Sequence, residues 1–230
     1  MSVDVQKRAA AERAASLVED GMIVGLGSGS TSALAVQALG RRYRAGLHFE
    51  GVPTSKDTAA LARSFGIPLR RLDELHALSL TIDGADEVDP NLNLVKGGGG
   101  AQTREKLVAA AAERFVVVVD ESKLVGRLGE RAPIPVEILP FGWTTTRHRL
   151  ESLGFSCELR REAAHTYTTL NHNYILDCRA SEAIDLADPE VARQIKLVTG
   201  VVEHGLFLGM AAAVIVGTAA GGVQVLPMTP

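Results

Sequence analysis

Short apolar runs alternate with amphipathic stretches along the first half of the chain. Residues 3–19 are alanine-rich with interspersed charges and predict a helix, residues 22–26 a short apolar strand, and residues 30–44 a second helix with Ala33, Leu34, Val36 and Leu39 on one face. The alternation repeats as strand 49–52, helix 56–65, strand 77–82 ending near Asp83, helix 101–113 and strand 115–119. Such an order predicts parallel strands joined by crossover helices: an α/β fold with an open, mostly parallel sheet and flanking helices, Rossmann-like in outline. Beyond Asp120 the pattern changes. Residues 129–140 are punctuated by proline, and a helix at 144–153, strands at 157–160 and 174–178 and a helix at 187–197 predict a small inserted α+β domain.

Residues 206–226 contain no charge and are long enough to span a bilayer. Gly209, Gly217, Gly221 and Gly222, with Thr218 and Gln224, divide the stretch into two β-like pieces around Ala219-Ala220-Gly221-Gly222. It is therefore expected to return as strands to the first sheet. The resulting division is an α/β catalytic domain of residues 1–130 and 206–230 and a small α+β domain of residues 131–205.

Composition narrows the classes of function. With 230 residues, 46% hydrophobic and 22% charged, the chain has the make-up of a globular protein with a substantial core. A net charge of −3 gives no overall attraction to nucleic acid, and 4% aromatic residues supply no base-stacking surface, so no nucleic-acid partner is expected. No membrane association is expected either. Cys157 and Cys178 show no pairing pattern, which fits a reducing compartment and gives a cytoplasmic expectation. The histidines, His48, His76, His148, His165, His172 and His204, are scattered without ligand spacing, so no metal site is supported.

The chemistry concentrates in one stretch. Asp83-Gly84-Ala85-Asp86-Glu87-Val88-Asp89 follows a strand, and Lys96-Gly97-Gly98-Gly99-Gly100-Ala101 precedes a helix containing Arg104-Glu105-Lys106. As a charge run the first segment could be a solvated turn, and it lacks the ligand alternation of a calcium loop. Its place at a strand end, where open α/β sheets bind ligands, favours a catalytic reading. Lys96 beside flexible backbone could neutralise a developing oxyanion. Glu105 alone reads as one position of a charged helix face, and near a lysine and two aspartates as a base for a carbon-bound proton. Lys123 follows strand 115–119 and points to the same sheet edge; Lys7 lies on the first helix, and each alone reads as a surface lysine. Gly25-Leu26-Gly27-Ser28-Gly29-Ser30-Thr31 joins a strand to a helix start, which fits an anion seat and, with equal weight, a glycine turn capped by Ser30 or Thr31. It matches neither the dinucleotide fingerprint nor the Walker loop.

Taken in order, these motifs resemble the type A ribose-5-phosphate isomerases. The resemblance also covers Val117 through Lys123, Pro133-Ile134-Pro135-Val136-Glu137 and Gly200 through Phe207, and so nearly the whole chain. It implies a cofactor-free, metal-independent aldose–ketose isomerase of carbohydrate metabolism, in the pentose phosphate pathway, interconverting D-ribose 5-phosphate and D-ribulose 5-phosphate. Glu105 would carry the proton between C1 and C2 through a cis-enediol(ate). Asp83, Asp86 and Lys96 would handle hydroxyl protons, ring opening and the enediolate charge. Ser28, Gly29, Ser30, Thr31, Lys123 and Lys7 would hold substrate, chiefly its phosphate, with backbone groups of Gly84, Ala85, Gly97, Gly98 and Gly99 completing the site. A homodimer or homotetramer is implied. Ser28 stands where the family has threonine, Thr169-Leu170-Asn171-His172-Asn173 where it has Thr-Asp-Asn-Gly-Asn, and Thr199 where proline is common. Two other classes fit parts of the pattern: a coenzyme A transferase relative, in which a glutamate attacks an acyl group, and a silent sugar-phosphate sensor of the same fold. Lys96 with Asp83 and Asp86 argues against the first, and the presence of Glu105 without a basic DNA-binding arm against the second.

Overall fold

The computed structural model describes residues 1–227, which divide into two compact units. Met1–Ala85, Arg104–Leu124 and the chain from Gly209 form the first; Asp86–Thr103 and Val125–Leu208 form the second.

The first unit is built on a six-stranded sheet. Its strands run in the order Val223–Pro227, Ala213–Gly217, Phe115–Asp120, Leu80–Asp83, Ile23–Leu26 and Glu50–Pro53. Every neighbouring pair is parallel except the edge hairpin of Ala213–Gly217 with Val223–Pro227. The uncharged C-terminal stretch thus forms the two expected strands, and among the described residues no helix is long and apolar enough to cross a membrane. Phe115–Asp120 is buried along its whole length, which explains why it reads as a continuous valine run rather than an alternating one. The helices Val3–Ala15, Ser30–Arg44 and Lys56–Ser64 flank this sheet. Ala10, Ala11, Ala14 and Ala15 of the first helix are fully buried, and their small side chains let it approach the sheet closely.

Chain order reverses at one place in this sheet. From Ile23–Leu26 the chain steps outward to Glu50–Pro53, then returns to the opposite side of Ile23–Leu26 to lay down Leu80–Asp83. The carboxyl ends of Ile23–Leu26 and Leu80–Asp83 therefore flank the switch point, where open α/β sheets leave a crevice for ligands.

The second unit carries a four-stranded antiparallel sheet in the order Val201–His204, Ile134–Ile138, Tyr174–Ala180, Phe155–Leu159, with helices Trp143–Ser152 and Pro189–Leu197. A three-stranded antiparallel set, Leu206–Phe207, Leu94–Val95 and Glu87–Val88, belongs to it as well. The proline-punctuated segment conceals a fully buried strand, Ile134–Ile138, in the middle of the larger sheet. Pro135 lacks a donor but its carbonyl still accepts from Gly205 N at 2.7 Å, so the ladder survives there.

The expectation for the cysteines is corrected. Cys157 and Cys178 are directly opposite in the adjacent antiparallel strands Phe155–Leu159 and Tyr174–Ala180, with Cα atoms 4.1 Å apart, and they form a disulfide. Twenty-one positions separate them in sequence, and a long hairpin brings them together. The compartment expectation drawn from unpaired cysteines loses that support.

Candidate active site

In the first unit the sheet edge is assembled around Asp83. Its side chain is 1% exposed, and its Oδ1 accepts from Ser28 N at 3.0 Å, Ser32 Oγ at 2.9 Å and Gly84 N at 2.8 Å. Gly84 N also donates to Ser32 Oγ at 2.9 Å. The loop after Ile23–Leu26 and the loop after Leu80–Asp83 are thus stitched together through one carboxyl oxygen. Gly27 makes this possible: a Cβ there would lie 2.0 Å from Asp83 Oδ1, so only glycine lets the two strands end side by side.

The glycine turn leads into the Ser30–Arg44 helix, whose first turn contains no acidic residue. Exposed N–H groups at such a start favour an anion. Lys7 Nζ donates to Ser30 Oγ at 3.0 Å, bringing a cation from the first helix to this helix start. Ser28 Oγ pairs with Thr54 Oγ1 at 2.6 Å, Thr54 Oγ1 donates to Leu26 O at 3.1 Å, and Thr58 Oγ1 donates to Gly27 O at 2.9 Å, all of which fix the turn from below. Lys123 is half-buried in the short helical turn Glu121–Lys123 that directly follows the Phe115–Asp120 strand, the immediate neighbour of Leu80–Asp83. Glu105 lies in the first turn of the Gln102–Ala110 helix and is 6% exposed. That helix is tied to the central sheet where Thr81 Oγ1 donates to the Val108 carbonyl at 3.2 Å.

In the second unit Asp86 and Lys96 sit at the ends of the paired strands Glu87–Val88 and Leu94–Val95. Asp86 N donates to Val95 O at 2.8 Å, and Asp86 Oδ2 accepts from Gly98 N at 2.7 Å, so this carboxylate and the glycine loop fix one another. Lys96 is 3% exposed, its N–H donates to Gly205 O at 2.8 Å, and its ammonium stands 5.5 Å from the Phe207 ring centroid. The loop closes as a turn in which Gly100 N donates to Gly97 O at 2.9 Å. Among the described residues no group of three or more His, Cys, Asp or Glu side chains could hold a metal ion.

The sequence reading missed Ser32, which shares Asp83 Oδ1, and Thr54, which follows a parallel strand and meets Ser28. Thr54 was accessible to the rule that picked out Asp83, since both stand at the carboxyl end of a strand in the same sheet. The supports of the glycine loop in the second unit carried no such signal.

Fold and side chains together define an open-sheet α/β protein whose hydroxyl-rich glycine turn and buried aspartate meet at the switch point. The sequence profile of the ribose 5-phosphate isomerase A (phosphoriboisomerase A) family matches residues 50–221. A relative from Gloeobacter violaceus named ribose-5-phosphate isomerase A is 51% identical, covering 98% of this chain and 97% of its own, and one of that name from Thermomicrobium roseum is 53% identical over 96% and 93%. Among solved structures, ribose 5-phosphate isomerase A from Methanocaldococcus jannaschii superposes with a TM-score of 0.90 at 42% identity, covering 96% of this chain and 97% of that one. A D-ribose-5-phosphate isomerase in complex with phospho-erythronic acid superposes with a TM-score of 0.93 at 38% identity, over 99% and 100%. The chain belongs to the ribose-5-phosphate isomerase A family.

Proposed function

We propose that the protein interconverts D-ribose 5-phosphate and D-ribulose 5-phosphate, with Glu105 as the base. What carries the proposal is membership of the family, with a relative 51% identical over 98% of the chain and the Asp83-to-Glu87, Lys96-to-Gly100 and Arg104-to-Lys106 segments lying inside the matched residues 50–221. From the open-chain aldose, the carboxylate of Glu105 removes the proton on C2 while the C1 carbonyl oxygen gains a proton, giving a cis-enediol(ate). Loss of the O2 proton and return of the carbon-bound proton to C1 then yields the ketose. Lys96 and the N–H groups of the glycine loop balance the charge that develops on oxygen, and Asp83 and Asp86 move hydroxyl protons during ring opening and enediol formation.

The phosphate is assigned to the start of the Ser30–Arg44 helix, with Ser28, Gly29, Ser30, Thr31, Lys7 and Lys123. Supporting this seat is the Lys7 contact with Ser30 at 3.0 Å. Binding energy from the phosphate positions the reacting carbons. A cytoplasmic setting belongs to the same reading, because a phosphorylated sugar crosses bilayers poorly. So does a homodimer or homotetramer.

The test is to incubate the wild-type protein with ribose 5-phosphate in the presence of a chelator and assay ketose. Glu105→Gln should bind substrate but lose on the order of 10²- to 10⁴-fold in kcat, the usual contribution of a general base. Near-full kcat in that variant removes Glu105 from the role.

A further inference from the structure

Three consecutive carbonyls of the glycine loop are held by side chains of the second unit that none of the motifs includes. Arg160 Nη1 donates to Gly97 O at 2.9 Å and to Gly98 O at 3.1 Å, and Tyr167 OH donates to Gly99 O at 3.3 Å. The guanidinium is itself braced, since Nε donates to Asp177 Oδ2 at 2.9 Å and Nη2 donates to Asp177 Oδ1. This ion pair is largely withdrawn from water, with side chains 13% and 24% exposed. Backbone bonds set the three groups in place: Arg160 N donates to Ile175 O at 2.9 Å, and Tyr167 N donates to Arg160 O at 3.0 Å. The Arg160 guanidinium also lies 5.8 Å from the Tyr167 ring centroid. Gly100 is matched to this arrangement, because a Cβ there would fall 2.2 Å from the Tyr167 oxygen.

A trans peptide places its N–H opposite its carbonyl. Holding the carbonyls of Gly97, Gly98 and Gly99 therefore fixes the directions of the N–H groups of Gly98, Gly99 and Gly100. Gly98 N is directed to Asp86 and Gly100 N to Gly97 O, so the Gly99 N–H is turned to the face away from Arg160. An unbraced run of glycines would spread over many conformations. Burial raises the Tyr167 hydroxyl pKa above its usual value, the Arg160 charge opposing that rise, so the phenol remains a donor across the neutral range.

We infer that Arg160, braced by Asp177, together with Tyr167 acts as a set of positioning residues that hold the glycine loop with the Gly99 N–H presented to the sugar oxygen. The inference rests on the isomerase reading above for the identity of that oxygen. It does not make Arg160 a phosphate ligand, because the guanidinium is committed to Asp177 and the loop carbonyls.

Two measurements test it. Amide hydrogen exchange across residues 97–100, recorded without substrate, should accelerate by about 10-fold or more in Arg160→Met while the strands of the unit remain protected. Steady-state kinetics on ribose 5-phosphate, run well below the melting temperature with the folded fraction checked by circular dichroism, should show kcat falling by about 10- to 100-fold with KM changed less than about 3-fold, as expected if the productive loop becomes a minor population. Arg160→Lys should recover only part, because an ammonium cannot bridge a carboxylate and two carbonyls as a planar fork does. Tyr167→Phe, which removes only the hydroxyl, should give a loss of a few-fold and covers the case in which Arg160→Met does not fold. Unchanged exchange in the loop overturns the inference, as does a folded variant whose kcat stays within about 2-fold of an active wild type. Accelerated exchange in a protein whose wild type fails to isomerise ribose 5-phosphate would retain the loop brace and reject the functional reading instead.

Discussion

Replacing Gly27 with alanine probes the junction at the switch point by displacing Asp83 without removing its carboxyl group. The added Cβ would lie 2.0 Å from Asp83 Oδ1, 2.1 Å from Asp83 Cγ and 2.5 Å from Asp83 Cβ. Non-bonded carbons rest at about 3.5–4.0 Å, so the aspartate must retreat by more than about 1 Å. Rotating its carboxyl is not enough, because its own Cβ is among the atoms met. Retreat would break at least two of the three bonds on Oδ1, from Ser28 N, Ser32 Oγ and Gly84 N. Hydrogen bonds to a carboxylate contribute roughly 1.5–3 kcal/mol each, so losing two should cost about 3–6 kcal/mol, or about 6–24 °C in melting temperature for a chain of this size. A displacement of about 1 Å at the group proposed to handle substrate protons should lower kcat/KM by on the order of 10²-fold. Calorimetry and isomerase kinetics measure the two effects. A double-mutant cycle isolates the cause: Asp83→Gly removes all three colliding atoms, so Gly27→Ala should cost at least about 2 kcal/mol less in that background, whereas in Asp83→Ala the Cβ collision persists. A Gly27→Ala protein with stability within about 1 kcal/mol and kcat/KM within about 3-fold of wild type would refute the argument.

Glu87 is fully buried and accepts from Gly129 N at 2.6 Å, Arg131 N at 2.6 Å and Ala132 N at 2.7 Å, so Glu87→Gln, which sets an amide donor against one N–H, should destabilise by about 2–4 kcal/mol in denaturant melts; a change under about 1 kcal/mol would show that the 126–132 loop is held by other contacts. His172 adopts φ 64°, a left-handed conformation that glycine takes without a Cβ penalty, and His172→Gly should stabilise by up to about 1 kcal/mol, relief of roughly 1–2 kcal/mol of strain being offset in part by unfolded-state entropy. A lower melting temperature for that variant would remove strain as the explanation. Hydrogen bonds from Arg193, then Gln194, hold the Glu190 carboxyl pKa at about 2, below its usual value of 4.5. Because the folded value is depressed, the contribution to stability is present above about 4.5 and lost as pH falls through about 2; an NMR titration should find Glu190 titrating near 2 in wild type and higher in Arg193→Ala, and a wild-type midpoint near 4.5 would contradict the contact.

What could be read from sequence and what could not separates along a physical line. Ser30–Arg44 and the strands of the central sheet were legible because each is a local pattern: an apolar face at helical spacing, or a valine run buried on both sides. The shared sheet edge of Gly27 and Asp83 followed from topology alone, since alternating strands and helices imply where the switch-point loops lie. Contacts that depend on long hairpins left no such trace. The strand Ile134–Ile138 was hidden because proline argues against a central strand, and nothing local reveals that Pro135 needs no donor where it sits.

The disulfide and the Arg160–Asp177 ion pair of the second unit both depend on one such long-range register. Cys157 and Cys178 become cross-strand neighbours only through the register that sets Leu176 against Leu159 and Asp177 against Glu158. Arg160 leaves the end of that same strand pair, and the residue it grips, Asp177, directly precedes Cys178 in the chain. One antiparallel register therefore fixes both the disulfide and the ion pair beneath the glycine loop. A slip by one residue would turn Asp177 to the opposite face of the sheet and separate it from Arg160. The disulfide opposes such a slip, because it joins the two strands in the only register that places Cys178 opposite Cys157. On this argument the cysteine pair, which sequence reading treated as a clue to compartment, bears instead on the geometry of the loop: reduction should leave the hairpin in place where its hydrogen bonds suffice, and should loosen loop exchange at residues 97–100 where they do not.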